Sequence, residues 1–323
     1  MTRKLASWLL ALALGLAFGF NLETAQAETW HFGLLGDVPY SEQERAELPK
    51  MLAAMAAESG TDKPAFIAHI GDIKHGKDRC DDALFQDRYH LFQASPVPLV
   101  FVPGDNEWTD CDRASNGSYE PRERLAKLRE IFWSNDRSLG RQQLRLERQA
   151  GPWREHSRFR LGPVLFVTLN LPGGNNNWGM TDKPSAEYLE RNPAVIAWLV
   201  DAFALARQEK LQGVVLLFQA NPGFKYFAKG LGISGYRQFL ETLRQETERF
   251  GQQGGQVVAV HGDTHQFRVD QPLRDREGKV LANFTRVETF GYPLMGWVRG
   301  SIDTTEPGLF RFEAHPWPPR QSP

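Results

Sequence analysis

Four times in this chain a run of apolar, strand-like residues stops at a glycine followed directly by an aspartate. The stretches are Leu35-Gly36-Asp37-Val38-Pro39-Tyr40, Ile70-Gly71-Asp72-Ile73-Lys74-His75, Pro103-Gly104-Asp105-Asn106-Glu107-Trp108 and His261-Gly262-Asp263-Thr264-His265. Gly71-Asp72 is the clearest case, because residues 65–70 run straight into it. Glycine lets the backbone turn sharply where a strand ends, and the C-terminal edge of a sheet is where α/β proteins gather functional groups. One Gly-Asp pair is usually a turn. Four of them, each closing an apolar run, imply an oxygen-rich cage at one sheet edge.

The order of elements supports this. Strands at 29–35, 65–70 and 97–102 alternate with helices at 41–58, with Ser41 as its cap, and at 81–93. Strand, helix, strand, helix, strand implies parallel neighbours with crossover helices. Further helices are expected at 121–133, 187–208 and 236–250, and strands at 157–161, 164–170, 214–218 and 256–260. The tail from 266 onward alternates strand by strand without a helix, which reads as an antiparallel second sheet packed on the first. With 323 residues, 41% of them apolar, the chain has ample material for one sizeable core, and no linker divides residues 28–323.

Residues 1–27 have a basic start (Arg3, Lys4), an apolar run at 8–20 and a small-residue exit at Ala25-Gln26-Ala27. Together these read as a secretory signal cleaved after Ala27, so the protein is expected to be periplasmic or secreted; a membrane anchor is the other reading, for which the apolar run is short. The mature chain would carry a net charge of −2, against −1 for the whole. That balance argues against a dedicated nucleic-acid or anionic-membrane surface, and no later stretch is long and apolar enough to span a bilayer. In an oxidising compartment Cys80 and Cys111 can pair, tying together the loops that follow Asp72 and Asp105. Such a bridge would stabilise by about 3 to 4 kcal/mol; two separate thiols are the other reading.

With these residues in hand, the sequence resembles the calcineurin-like metallophosphoesterase superfamily. That family's pattern runs Asp-x-His, Gly-Asp, Gly-Asn-His-Asp/Glu, a lone His after an apolar strand, then Gly-His-x-His. The likeness covers nearly the whole mature chain in motif order, with degenerate motifs. It implies a two-sheet αββα sandwich and two divalent cations sharing a bridging carboxylate. Asp37 matches the first Asp, and Pro39 stands where the family has a ligand His. Asp72 matches the bridging carboxylate. The ungapped register sets Asp105 at the ligand Asn and Asn106 at the usual catalytic His, whereas a one-residue shift makes Asn106 the ligand. Gln219 falls at the lone His, Asp263 and His265 at the last pair.

Nitrogen donors replaced by oxygen favour Mn²⁺, Mg²⁺ or Ca²⁺ over Zn²⁺ relative to the usual family pattern, with Fe or Zn kept as alternatives. In the family a metal-bound hydroxide attacks phosphorus in line, so hydrolysis of a small phosphorylated substrate is expected. Asn106 has no proton to give the leaving group, and His75 or His261 could replace it. The loop after the strand at 164–170 brings Asn175, Asn176 and Asn177 forward as substrate contacts. The competing reading is a secreted metal- or phosphate-binding protein that kept the fold without catalysis. Substrate identity and oligomeric state are not encoded legibly.

Overall fold

The computed structural model describes residues 28–58, 60–179, 182–232 and 234–319, so the expected signal segment 1–27 lies outside the described residues. In chain order the elements are β1 (Thr29–Leu35), α1 (Glu42–Ala56), β2 (Pro64–His69), α2 (Asp82–Gln93), β3 (Leu99–Phe101), α3 (Pro121–Phe132), β4 (Glu147–Arg148), β5 (Ser157–Leu161) and β6 (Val164–Thr168). They continue as α4 (Gly173–Asn176), α5 (Ala186–Gln208), β7 (Gly213–Leu217), α6 (Phe224–Ala228), α7 (Ser234–Gly251), β8 (Gln256–His261), β9 (Arg268–Asp270), β10 (Phe284–Glu288), β11 (Gly296–Asp303) and β12 (Phe310–Pro316). Local chemistry sets the helix starts. The Ser41 hydroxyl accepts from the Glu44 N–H at 3.2 Å while the Glu44 carboxylate accepts from the Tyr40 N–H at 2.7 Å, closing the first turn of α1 from both sides. Pro121 opens α3, where its missing N–H costs nothing.

Two sheets form. One has the order β12-β11-β1-β2-β3 and the other β4-β5-β6-β7-β8-β10-β9. In the first, β1, β2 and β3 are parallel, as the strand–helix alternation predicts. In the second, β6, β7, β8 and β10 are parallel. The tail does not make a sheet of its own. Instead β11 pairs antiparallel with β1 (Trp30↔Ile302), and β10 lies parallel to β8 (Val258↔Thr285). Both parallel sets would otherwise end in an unpaired edge, and the tail strands cover one edge of each.

Alternation along the strands sorts the core into three layers. Phe32, Leu34, Phe66, Ala68, Phe166, Val215 and Val258 face each other between the sheets. Leu35 and Ile67 point the other way, onto Leu48, Met51, Phe85 and Leu125 of α1, α2 and α3. Leu165, Val214 and Val257 point to Leu199, Phe203, Phe239 and Leu243 of α5 and α7. The result is an αββα sandwich. At its centre the Phe166 ring meets Phe32 and Phe66 edge-on at 5.0 and 4.9 Å; truncating such a ring to alanine costs about 3 to 5 kcal/mol.

Candidate metal centre

The C-terminal ends of the parallel strands from both sheets meet at one edge. Asp37 follows β1, Asp72 follows β2, Asp105 follows β3, Gln219 follows β7 and Asp263 follows β8. The seam between the sheets is hydrogen-bonded at this point: the Asp263 N–H donates to both oxygens of Asp37, at 3.1 and 3.2 Å. Glycine is needed for the close approach. A Cβ at Gly104 would lie 2.0 Å from Asp72 Oδ1, and one at Gly262 would lie 2.1 Å from Asp37 Oδ2. Asp37, Asp72, Asp263 and His265 all have left-handed backbones, with φ of 53°, 57°, 77° and 56°. Each such residue stores on the order of 1 kcal/mol of strain, and their concentration at one edge points to function.

Electrostatically the site is out of balance. Burial raises the pKa of Asp37 and, more strongly, of Asp72, to which Asp105, Glu107 and Asp37 add repulsion. Burial also carries Asp105 and Asp263 up to about 6 and Glu107 up to about 7. The cations nearby are few. Lys74 is buried and donates to the carbonyls of His75 and Asp78 at 3.2 and 2.9 Å. His265 places Nε2 3.4 Å from Asp37 Oδ1, and the contact raises its pKa. Its Nδ1–H donates to the Tyr292 carbonyl at 2.8 Å, the arrangement that presents Nε2 to a metal.

These donors suit a hard divalent cation: carboxylates predominate, one imidazole is correctly turned, and Asp105 Oδ1 is buried without a partner. Among the described residues, no three acidic, histidine or cysteine side chains already converge on a single point. Asp72 is held by hydrogen bonds from its neighbours. Its Oδ2 accepts from Tyr40 Oη at 2.8 Å and from Asn106 Nδ2 at 2.9 Å, and its Oδ1 accepts from the Asn106 N–H at 3.2 Å.

Several expected roles change on this geometry. The Asn106 amide also donates to Tyr40 Oη and to the Lys74 carbonyl, at 3.0 and 3.1 Å. It therefore clamps Asp72, while Asp105 Oδ1 is buried without a partner. Gln219 spends Oε1 on the Gly173 N–H at 2.6 Å, leaving Nε2, a donor, buried without a partner; in this arrangement it positions a loop. His261 is fully buried beside the rings of Phe218 and Phe224, and its Nδ1–H donates to the Gly262 carbonyl at 2.8 Å. Burial drives its pKa down to about 3, so it cannot serve as a general acid at neutral pH.

The three asparagines are committed to the fold. Asn175 Oδ1 accepts from the Gly235 N–H at 3.0 Å, Asn176 Nδ2 donates to the Gly235 carbonyl at 2.7 Å, and Asn177 Nδ2 donates to Glu187 at 2.9 Å. Trp108 is likewise buried. His75 remains at the rim, its ring edge-on to Tyr40 at 5.6 Å and Tyr292 at 6.3 Å.

The structure adds residues that the motifs do not single out. Tyr40 bridges Asp72 and Asn106 through its hydroxyl, and Glu107 collects the N–H groups of Gly104, Asp72 and Ile73 at 2.6, 3.1 and 3.4 Å. Both lie inside the quoted stretches, three residues after Asp37 and two after Asp105. Cys80 and Cys111 form a disulfide with a Cα separation of 5.8 Å, joining the segments that follow Asp72 and Asp105.

No family model and no curated protein matches this chain. Among solved structures it is similar to TT1561 of Thermus thermophilus, at 11% identity and a TM-score of 0.44, over 90% of this chain and 99% of that one.

Proposed function

We propose that the chain binds divalent cations at this edge and hydrolyses phosphate esters there. The reading is carried by one observation: Asp37, Asp72, Asp105 and Asp263, with pKa values all raised, meet where two sheets end, with His265 turned toward Asp37. Carboxylates massed in a buried site need positive charge. Asp37, Asp105, Asp263 and His265 are the donors that would hold it, with Asp72 between them once Tyr40 and Asn106 release it. A bound divalent cation supplies charge neutralisation at phosphorus and acidifies a water molecule.

The protein's own part is to position and to exclude. Glu107 fixes the loops after β2 and β3 through three main-chain N–H groups. Tyr40, His75 and Tyr292 form the aromatic rim against which an ester group would lie. No acid is set in place among the carboxylates for the leaving group, since Asn106 is spent on Asp72, His261 is sealed in the core and His75 stands out at the rim. Esters whose leaving group needs no proton, such as aryl phosphates, are therefore the favoured substrates.

The same missing acid favours a second reading, a metal- or phosphate-binding protein without turnover. Metal analysis of the purified protein, then turnover of an aryl and an alkyl phosphate with Mn²⁺ and with chelator, separates the two. Aryl turnover abolished by chelator supports hydrolysis, and equal rates on both esters contradict the missing-acid argument. Bound metal without turnover selects the second reading. Export is part of the proposal: a disulfide bridges the chain, and none of the helices among the described residues is long and apolar enough to cross a membrane.

A further inference from the structure

A cavity of about 610 Å³ opens at the β4–β5 edge of the seven-stranded sheet, and none of the metal-centre carboxylates lines it. Its wall carries Arg145, Arg148, Arg154, Arg158 and Arg160 against only two acids, Asp136 and Glu147, with Leu144, Leu165 and Leu205 as apolar surface. Three of the arginines are paired. Arg158 sits between Glu147 and Asp201 at 2.5 and 2.7 Å, Arg154 meets Asp136 at 2.7 Å, and Arg160 meets Glu209.

Arg145 and Arg148 have no carboxylate partner among the described residues. The Arg148 guanidinium donates only to the carbonyls of Arg154, Asn135 and Arg137, at 2.9, 3.3 and 3.2 Å, and its Nε is buried without a partner. Burial, and then Arg154, lower its pKa to about 10. Asp136 and Glu155 act in the other direction without an ion pair to it, and the charge persists at neutral pH.

We propose that this cavity is a second binding site, for a small multivalent oxyanion of phosphate chemistry held by Arg145 and Arg148. The exposed Arg145 can grip phosphate oxygens in pairs, where lysine offers only a point charge, while Arg148, with Nη1 and Nη2 held by main-chain carbonyls, contributes chiefly its charge. The apolar wall lowers the local dielectric and strengthens each contact. The volume lies within the range of roughly 300 to 1,000 Å³ usual for small-molecule sites. This inference does not depend on the metal centre, whose carboxylates would repel the same ligand when no cation is bound.

The test is titration calorimetry of the full mature chain in chelator, with inorganic pyrophosphate as ligand, beside sedimentation with vesicles containing phosphatidate. Arg145→Glu changes an exposed side chain and should weaken binding about tenfold or more, and Arg148→Gln should do the same. Circular dichroism of both variants checks that the fold is kept. Loss of pyrophosphate binding in the variants supports a soluble ligand, and loss of vesicle binding with pyrophosphate inert supports a lipid headgroup. Absence of binding to both probes, or affinity unchanged in well-folded Arg145→Glu, overturns the proposal.

Discussion

Asp105 is the residue at which the metal reading is most exposed to test. Its carboxylate is buried beside Asp72 and Asp263, and Oδ1 meets no donor. Its pKa of about 6 means that at pH 7.5 the metal-free protein holds a charge that burial opposes. Asparagine has the same shape without the charge. Asp105→Asn should therefore stabilise the metal-free protein at pH 7.5 by about 1 to 3 kcal/mol and, because the amide oxygen can still ligate while the charge is gone, lower without abolishing the rise in Tm on adding Mn²⁺. Denaturant titrations with and without cation read both effects, and a variant less stable in both conditions would make Asp105 a purely structural residue. Glu107 behaves oppositely. It satisfies three main-chain N–H groups, so Glu107→Ala should destabilise by about 2 to 4 kcal/mol whether or not cation is present.

At the scale of elements, the loops after β2 and β3 act as one unit because the Cys80–Cys111 bridge joins them. It closes a separation of 31 residues, worth about 3 to 4 kcal/mol in the chain-entropy account. Cys80→Ser/Cys111→Ser should lose that much stability and, because Asp72 and Asp105 lie just before the two cysteines, also weaken cation affinity, measurable by calorimetry. Unchanged affinity in a stable double variant would uncouple the bridge from the site. These loops are legible in the sequence: strand, Gly, Asp is a local signal, and glycine is required where carboxylate oxygens pass so close that a Cβ would collide with them. The tail is less so. Alternation gives β10, β11 and β12 the same appearance whichever sheet edge they join, and only the open edges of β1 and β8 decide it. Asn175, Asn176 and Asn177 mislead for a similar reason. All three have positive φ, at 57°, 58° and 53°, and the composition that suits left-handed turns is the same whether the amides face a ligand or, as here, their own fold. Tyr40 and Lys74 become visible only through tertiary contacts.

For the molecule as a whole, the shared layer between the sheets makes cooperativity a testable property. Phe32, Phe66, Phe166 and Val258 belong to both sheets' inner faces, so neither sheet can open without exposing the other. Two buried histidines report on this, one in the first sheet and one immediately before a strand of the second. His69 in β2 donates from Nε2 to the Val38 carbonyl, and His156 beside β5 contacts Gln149 Oε1 through Nδ1. Burial lowers both pKa values to about 4. Their unfolded values lie near 6.5. Above that pH both states are neutral and the full stability is present. As pH falls toward 4 the unfolded chain takes up protons that the folded one refuses, so stability declines by up to about 1.4 kcal/mol per pH unit for each histidine. His156→Gln should therefore flatten the decline between pH 6.5 and 4.5 by about one histidine's share, and a His69 variant should do the same. If the sandwich unfolds as one body, both substitutions act on a single transition seen identically by circular dichroism and tryptophan fluorescence. Two separable transitions, with His156→Gln moving only one of them, would mean that the sheets unfold independently despite their common core.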